Sequence, residues 1–259
     1  MLCRVIEDII YLMGSIFKCR FIFFCVLLVL FSVTSRAQDN PDNGTTDNSM
    51  FTVCIDPGHP SEVSDGMTVQ NGVTENHINW IFALELKEVL EDEGVNVVLT
   101  KTEEDEYVTN RERAEIANEN EADLFFRIHC DTFTDPDVRG MTFYYPDRQG
   151  TWEEEIGPPE EIIPDCERAA NTIHDVAMEE LDGLLNDRGV RTDNETYVGN
   201  RQGGALRGSI LSRVPVCLVE LCFLSSPDDV DVITDDDYRR EIARAVGKGI
   251  IEFVAGATS

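Results

Sequence analysis

Positive charge is what this chain has least of for its length: 21 lysines and arginines face 50 aspartates and glutamates in 259 residues, a net charge of -29. Residues 1–37 hold four of the basic and two of the acidic residues, so the remainder carries 17 against 48 and stands at -31. A surface of that sign repels nucleic acid and anionic membranes, and neither is expected as a partner. Long apolar runs are missing too. The longest, Phe21 to Val33, has thirteen residues, too few to span a bilayer comfortably. Histidine is scarce, at four, and no His-Glu-x-x-His occurs, which removes the thermolysin-like zinc arrangement. No internal repeat and no separate second module are visible. Cysteine gives no disulfide framework: after residue 37 there are Cys54, Cys130, Cys166, Cys217 and Cys222, an odd number on apolar stretches, as expected of free thiols packed as small hydrophobes. Cys54 and Cys217 are expected to come close on neighbouring strands, with their bonding left open.

Lys18 and Arg20 before the apolar run, and Ser35-Arg36-Ala37 after it, give residues 1–37 the three-part shape of a secretory signal. Met13 to Ala37 already has that shape, so Met13 is a second candidate start. The alternative is an uncleaved anchor; either way the rest of the chain is expected outside the cytoplasm, secreted or periplasmic. Residues 38–50 are polar, turn-rich and without periodicity, a disordered linker. Residues 51–257 are then long enough for one large domain with a sizeable core, and a monomer is expected.

From Phe51 strands and helices alternate, the signature of an α/β domain with a mostly parallel, twisted sheet covered by helices on both faces. The pattern predicts strands at Val53 to Asp56, Val95 to Thr100, Leu124 to His129, Gly140 to Tyr145 and Pro215 to Phe223. Helices are expected from Glu75 to Gly94, Arg111 to Asn118, Glu167 to Leu185 and Asp236 to Phe253. Thr74 is placed to cap the first of these and leaves Glu75 at its first position. The last is expected to bury Tyr238, Ile242, Val246, Ile250 and Phe253. After Arg191 the chain reads as loop through Gly203-Gly204.

Three apolar runs end in groups with chemistry. Val53-Cys54-Ile55-Asp56 stops at Pro57-Gly58 and presents His59; Leu124 to Ile128 ends in His129; Val216 to Val219 ends in Glu220. Open α/β sheets build their sites at the carboxyl ends of strands. Two histidines and two glutamates so placed supply what a catalytic zinc site needs, namely three ligands, an open position and a base. His77 lies two positions from Glu75, about 200° round the helix, and cannot share its metal. His174 sits among apolar positions and reads as structural. Cys130 follows His129 on a strand and should face the other way.

In their order, Asp56-Pro57-Gly58-His59, Gly72 to Asn79 with Glu75 inside it, Thr100, Arg113 to Asn118, Asp123 to Cys130, Arg188-Gly189-Val190-Arg191 and Pro215 to Leu224 resemble the zinc-dependent N-acetylmuramoyl-L-alanine amidases of the family-3 type. These segments reach over nearly all of the chain after residue 50. The resemblance implies a Zn2+ cofactor held by His59, Glu75 and His129, Glu220 as catalytic base, and peptidoglycan as partner, with an activator protein in some relatives. Adhesion to an anionic wall by charge alone is disfavoured by the acidic surface. Two other readings stay open: a zinc peptidase acting on stem peptides, and a catalytically silent wall-binding protein of the same fold. For Glu220 the structural alternative is an ion pair with an arginine such as Arg207. Lys101 and Asp131 depart from the family pattern, where arginine and asparagine are usual. Trp152 to Asp165, with six acids and three prolines, reads as a solvated loop or as a lid offering the zinc a glutamate.

Overall fold

The computed structural model describes residues 51–256; the signal and linker expected before them lie outside the described residues. Strand β1 (Thr52–Pro57) is buried from Val53 onward and sends Val53 and Ile55 to one face of the sheet, Cys54 and Asp56 to the other. Helix α1 (Glu75–Asp92) starts where Thr74 accepts a hydrogen bond from the His77 amide and buries Ile78, Phe82, Leu86 and Leu90. Gly94, at φ +82°, lets the chain turn into β2 (Asn96–Leu99). Thr109 and Glu112 form a reciprocal cap on α2 (Asn110–Glu119), which leads to β3 (Leu124–Asp131) and β4 (Met141–Tyr145). Then come the short strands β5 (Gly150–Trp152) and β6 (Glu155–Gly157), α3 (Ile163–Leu181), β7 (Asp187–Thr192), the one-turn helices α4 (Tyr197–Arg201) and α5 (Arg207–Leu211), β8 (Val216–Phe223), α6 (Pro227–Thr234) and α7 (Asp236–Gly256).

The main sheet runs β2-β1-β3-β8-β4-β7. All neighbouring pairs are parallel except β4 with β8. Helices α1, α3 and α7 cover one face over the larger core, where Phe82, Phe126, Phe143 and Phe253 are fully buried, each contributing about 1.5–3 kcal/mol. Helix α2 covers the other around a smaller cluster of Cys54, Ala114, Ala117, Phe125 and Val216. From β1 the chain moves outward to β2, then back past β1 to β3. That reversal opens a crevice at the carboxyl ends of β1 and β3.

Three expectations need correction, and one strand was not foreseen. Cys54 and Cys217 are not neighbours: β3 lies between their strands, and they face opposite cores. The thiols that meet are Cys130 and Cys222, 3.7 Å apart, and the five cysteines among the described residues are buried and free. Tyr238 is 46% exposed, because Arg239 takes the inward position, paired with Glu85. Residues 187–192 form an edge strand, whose charged, half-buried sequence lacks alternation because one side meets solvent. Residues 152–157, expected as loop, close a small antiparallel hairpin.

Candidate metal centre and cleft

His59 follows the end of β1 at φ +65°, His129 projects from within β3, and Glu75 projects from the first turn of α1. Their ligand atoms all lie within 4.8 Å of one another. Glu75 is shared: its Oε2 is 3.0 Å from His59 Nε2 and its Oε1 is 3.0 Å from His129 Nδ1. His59 Nδ1 donates to the Ser64 carbonyl at 3.1 Å, which leaves the Nε2 lone pair turned toward the carboxylate. A nitrogen lone pair facing a carboxylate oxygen at that distance is repulsive unless a proton or a cation lies between. Two imidazoles and one carboxylate are a donor set that suits a metal ion with bonds of about 2 Å.

Burial alone would raise the Glu75 pKa, but hydrogen bonds and charge from His129 and His59 hold it well below the usual carboxylate range. Burial draws both imidazoles down. It prevails at His129, whereas at His59 the hydrogen bond and charge of Glu75 outweigh it and the pKa rises. Two glycines make the approach possible. A Cβ on Gly58 would fall 2.4 Å from the His129 ring, and one on Gly66 2.6 Å from His59 Cβ.

Beneath the centre lies a charged scaffold. Asp56, fully buried, takes Arg113 Nη1 at 2.5 Å and Arg127 Nε at 2.9 Å, with the Thr100 hydroxyl at 2.7 Å. Arg113 also donates to the carbonyls of Pro57 and Pro60 and so fixes the turn that carries His59. Lys101 spends its three protons on the His59 carbonyl, Asn76 Oδ1 and the Glu104 carbonyl. Burial, with Arg113 nearby, lowers its pKa to about 8. Sequence reasoning missed these positioning roles, although a lone arginine inside Leu124-Phe125-Phe126-Arg127-Ile128 was a signal, since a charge inside a buried strand needs a partner.

Glu220 stands level with His129 across the β3–β8 pairing, on the same face of the sheet. Its Oε2 is buried without a hydrogen-bond partner. Burial raises its pKa well above the usual value, with Asp131 and Glu75 adding to the effect. The alternative ion pair with Arg207 is not formed, since that guanidinium lies 3.5 Å from Glu62. Glu220, His59 and His129 line one cavity of about 320 Å³, together with Arg113, Arg127, Tyr144, Tyr197 and Arg207.

Cys130 faces away, against Asn79 and Cys222 in the larger core. His77 is half exposed beside Glu104, and His174 bonds Asp175 and Asp187, so neither joins the centre. From the segment expected to be a loop or lid, Glu153 and Glu155 pair with Arg111 and are not among the convergent ligand groups.

The family model described as N-acetylmuramoyl-L-alanine amidase matches residues 53–252. N-acetylmuramoyl-L-alanine amidase AmiA of Salmonella typhimurium is 26% identical over 242 residues, covering 85% of this chain and 81% of its own. Among solved structures, amidase AmiC2 of Nostoc punctiforme superposes with a TM-score of 0.63 at 24% identity, over 79% of this chain and 97% of its own. The amidase CwlD of Clostridioides difficile, solved with the GerS lipoprotein, gives 0.57 at 22% identity over 80% of this chain and 99% of its own. At those identities the two structures share the fold.

Proposed function

The chain belongs to the N-acetylmuramoyl-L-alanine amidase family, and on that premise we propose that it hydrolyses the amide between the lactyl group of N-acetylmuramic acid and L-alanine of the peptidoglycan stem peptide, with zinc held by His59, Glu75 and His129. Zinc bound there would supply Lewis acidity, polarising the scissile carbonyl and acidifying water. The remaining work falls to the chain's own groups. Glu220 Oε2 accepts the proton of the attacking water and returns it to the departing L-alanine nitrogen. Its raised pKa, set first by burial, suits a group that must both take and give a proton. Ser64 holds the His59 ring through Nδ1, and Lys101 and Arg113 hold the turn behind it. Leu218, Val63 and Val198 give the cavity an apolar lining beside the reacting groups.

The observation that carries this reading is the unpartnered, buried Glu220 oxygen in one cavity with His59 and His129, whose ligand atoms converge with that of Glu75. We place the enzyme outside the cytoplasm, as its N-terminus suggests; no helix among the described residues is long and apolar enough to cross a membrane. Peptidoglycan is its partner. The GerS complex of CwlD supports a protein activator as a second one. The purified protein is expected to bind about one zinc and to release intact stem peptides bearing a free L-alanine amine from peptidoglycan fragments. Chelation should stop the reaction and zinc restore it. Shortened peptides instead of intact ones would identify a peptidase; binding without turnover in the zinc-loaded protein would identify a silent wall-binding protein.

A further inference from the structure

In a protein with this excess of acid, the cleft is lined by three guanidinium groups, Arg113, Arg127 and Arg207. Two are committed. Asp56 takes both Arg113 and Arg127, and Arg127 also donates to Asn110 Oδ1. Arg207 is different: its Nε is buried without a hydrogen-bond partner, and its ion-pair contact is Glu62 Oε1, 3.5 Å from Nη1. That carboxylate already accepts from the Asn110 side chain at 2.9 Å and from the Asn110 amide at 3.0 Å. Arg207 therefore keeps donors unused at the wall of the cavity that holds His59, His129 and Glu220.

The side chain is also held in place. Leu206, just before it, donates its amide to buried Asp193, and the guanidinium lies 5.2 Å from the centroid of the Trp152 ring at the hairpin end. A guanidinium stacked on an aromatic ring leaves its edge free to present a two-pronged donor, the geometry that fits a carboxylate. The surrounding charge repels an anionic ligand, so one that binds needs such a local cation.

We propose that Arg207 forms an anion subsite that takes a carboxylate of the peptide leaving the reaction. This rests on the amidase reading above. The glycan on the other side of the scissile amide has its lactyl carboxyl tied up in that bond, so the free carboxylates lie on the peptide. Arg207 shares a cavity of about 320 Å³, about 7 Å across, with the reacting groups, which keeps its ligand within about two residues of extended chain of the scissile bond, and we assign it to the residue after L-alanine. The preferred substrate class is stem peptide with a free carboxylate at that residue, over peptide carrying a carboxamide there.

The test uses the full-length zinc-loaded protein and two soluble N-acetylmuramoyl tripeptides that differ at that one group. Wild type is expected to cleave the acid with a kcat/KM about 10-fold or more above the amide. Arg207→Gln should bring the two within about 2-fold of each other, and Arg207→Lys, which keeps the charge without the fork, should fall between. Zinc content and melting temperature show whether each variant is intact. If the glutamine variant is damaged, the lysine variant decides: a reduced ratio supports the subsite, an unchanged one overturns it. Equal cleavage of both substrates by wild type, or a preference that survives in an intact Arg207→Gln, also overturns it. Cleavage of neither by wild type overturns the amidase reading itself, a result distinct from equal cleavage of both.

Discussion

A carboxylate that is to act as a base must be kept from donors that would occupy it, and Glu220 shows how a strand position does this. Neighbouring strands place it beside His129, while the arginines that line its cavity are bound to Asp56 or lie at Glu62. Glu220→Gln retains shape and polarity but takes away the base. Its zinc content should match wild type while turnover falls about 100-fold or more, as read by metal analysis beside steady-state rates. Turnover unchanged by this substitution would leave Glu220 a structural residue. At the same scale Gly58 has no freedom to vary, since any Cβ meets the His129 ring.

Among the elements, the β5–β6 hairpin changes most from its sequence reading. Its acids, in a proline-rich stretch, suggested either solvated loop or a lid over the metal. In the fold, Glu153 and Glu155 lie on Arg111, which also approaches the Trp152 ring at 5.5 Å. These are exposed pairs, worth little to stability. Replacing both with glutamine is expected to leave turnover on purified peptidoglycan within about 2-fold of wild type. A marked rise in activity would show that the acids restrain the enzyme after all.

At the scale of the whole molecule, buried carboxyls and a large negative charge act together. Burial raises Asp193 to about 6, against hydrogen bonds from Leu206 and Ser209, and its Oδ1 has no partner. Because the folded form holds its proton more tightly than the unfolded chain, stability rises as pH falls through about 6 and levels off near the unfolded value of 3.8, a gain of about 2–3 kcal/mol. Asp56 works in the opposite sense. Burial pushes it up, but Arg113 and Arg127 hold it well below the usual range, so its contribution is present above the unfolded pKa and is lost in stronger acid. The melting temperature should therefore climb between pH 7.5 and about 5, then fall below about 4. Asp193→Asn should flatten the climb, and the difference between the two proteins isolates this carboxyl from the metal centre. A parallel pair of pH profiles would remove Asp193 from the account.

The sequence by itself determined the alternation of strands and helices, because a buried parallel strand must be continuously apolar and its covering helices must repeat every three or four residues. It also singled out His59, Glu75, His129 and Glu220 as polar groups closing apolar runs or starting a helix, although β3 and β8 continue two and three residues beyond His129 and Glu220. Tertiary structure decided what periodicity cannot carry. Which strands are neighbours determined that Cys130 meets Cys222 while Cys54 and Cys217 stay apart. It also decided that Lys101 spends its protons holding the His59 turn and that Arg207 faces the cleft with donors unused. Such contacts join residues far apart in the chain, so they depend on strand order and register, which no local pattern of residues records.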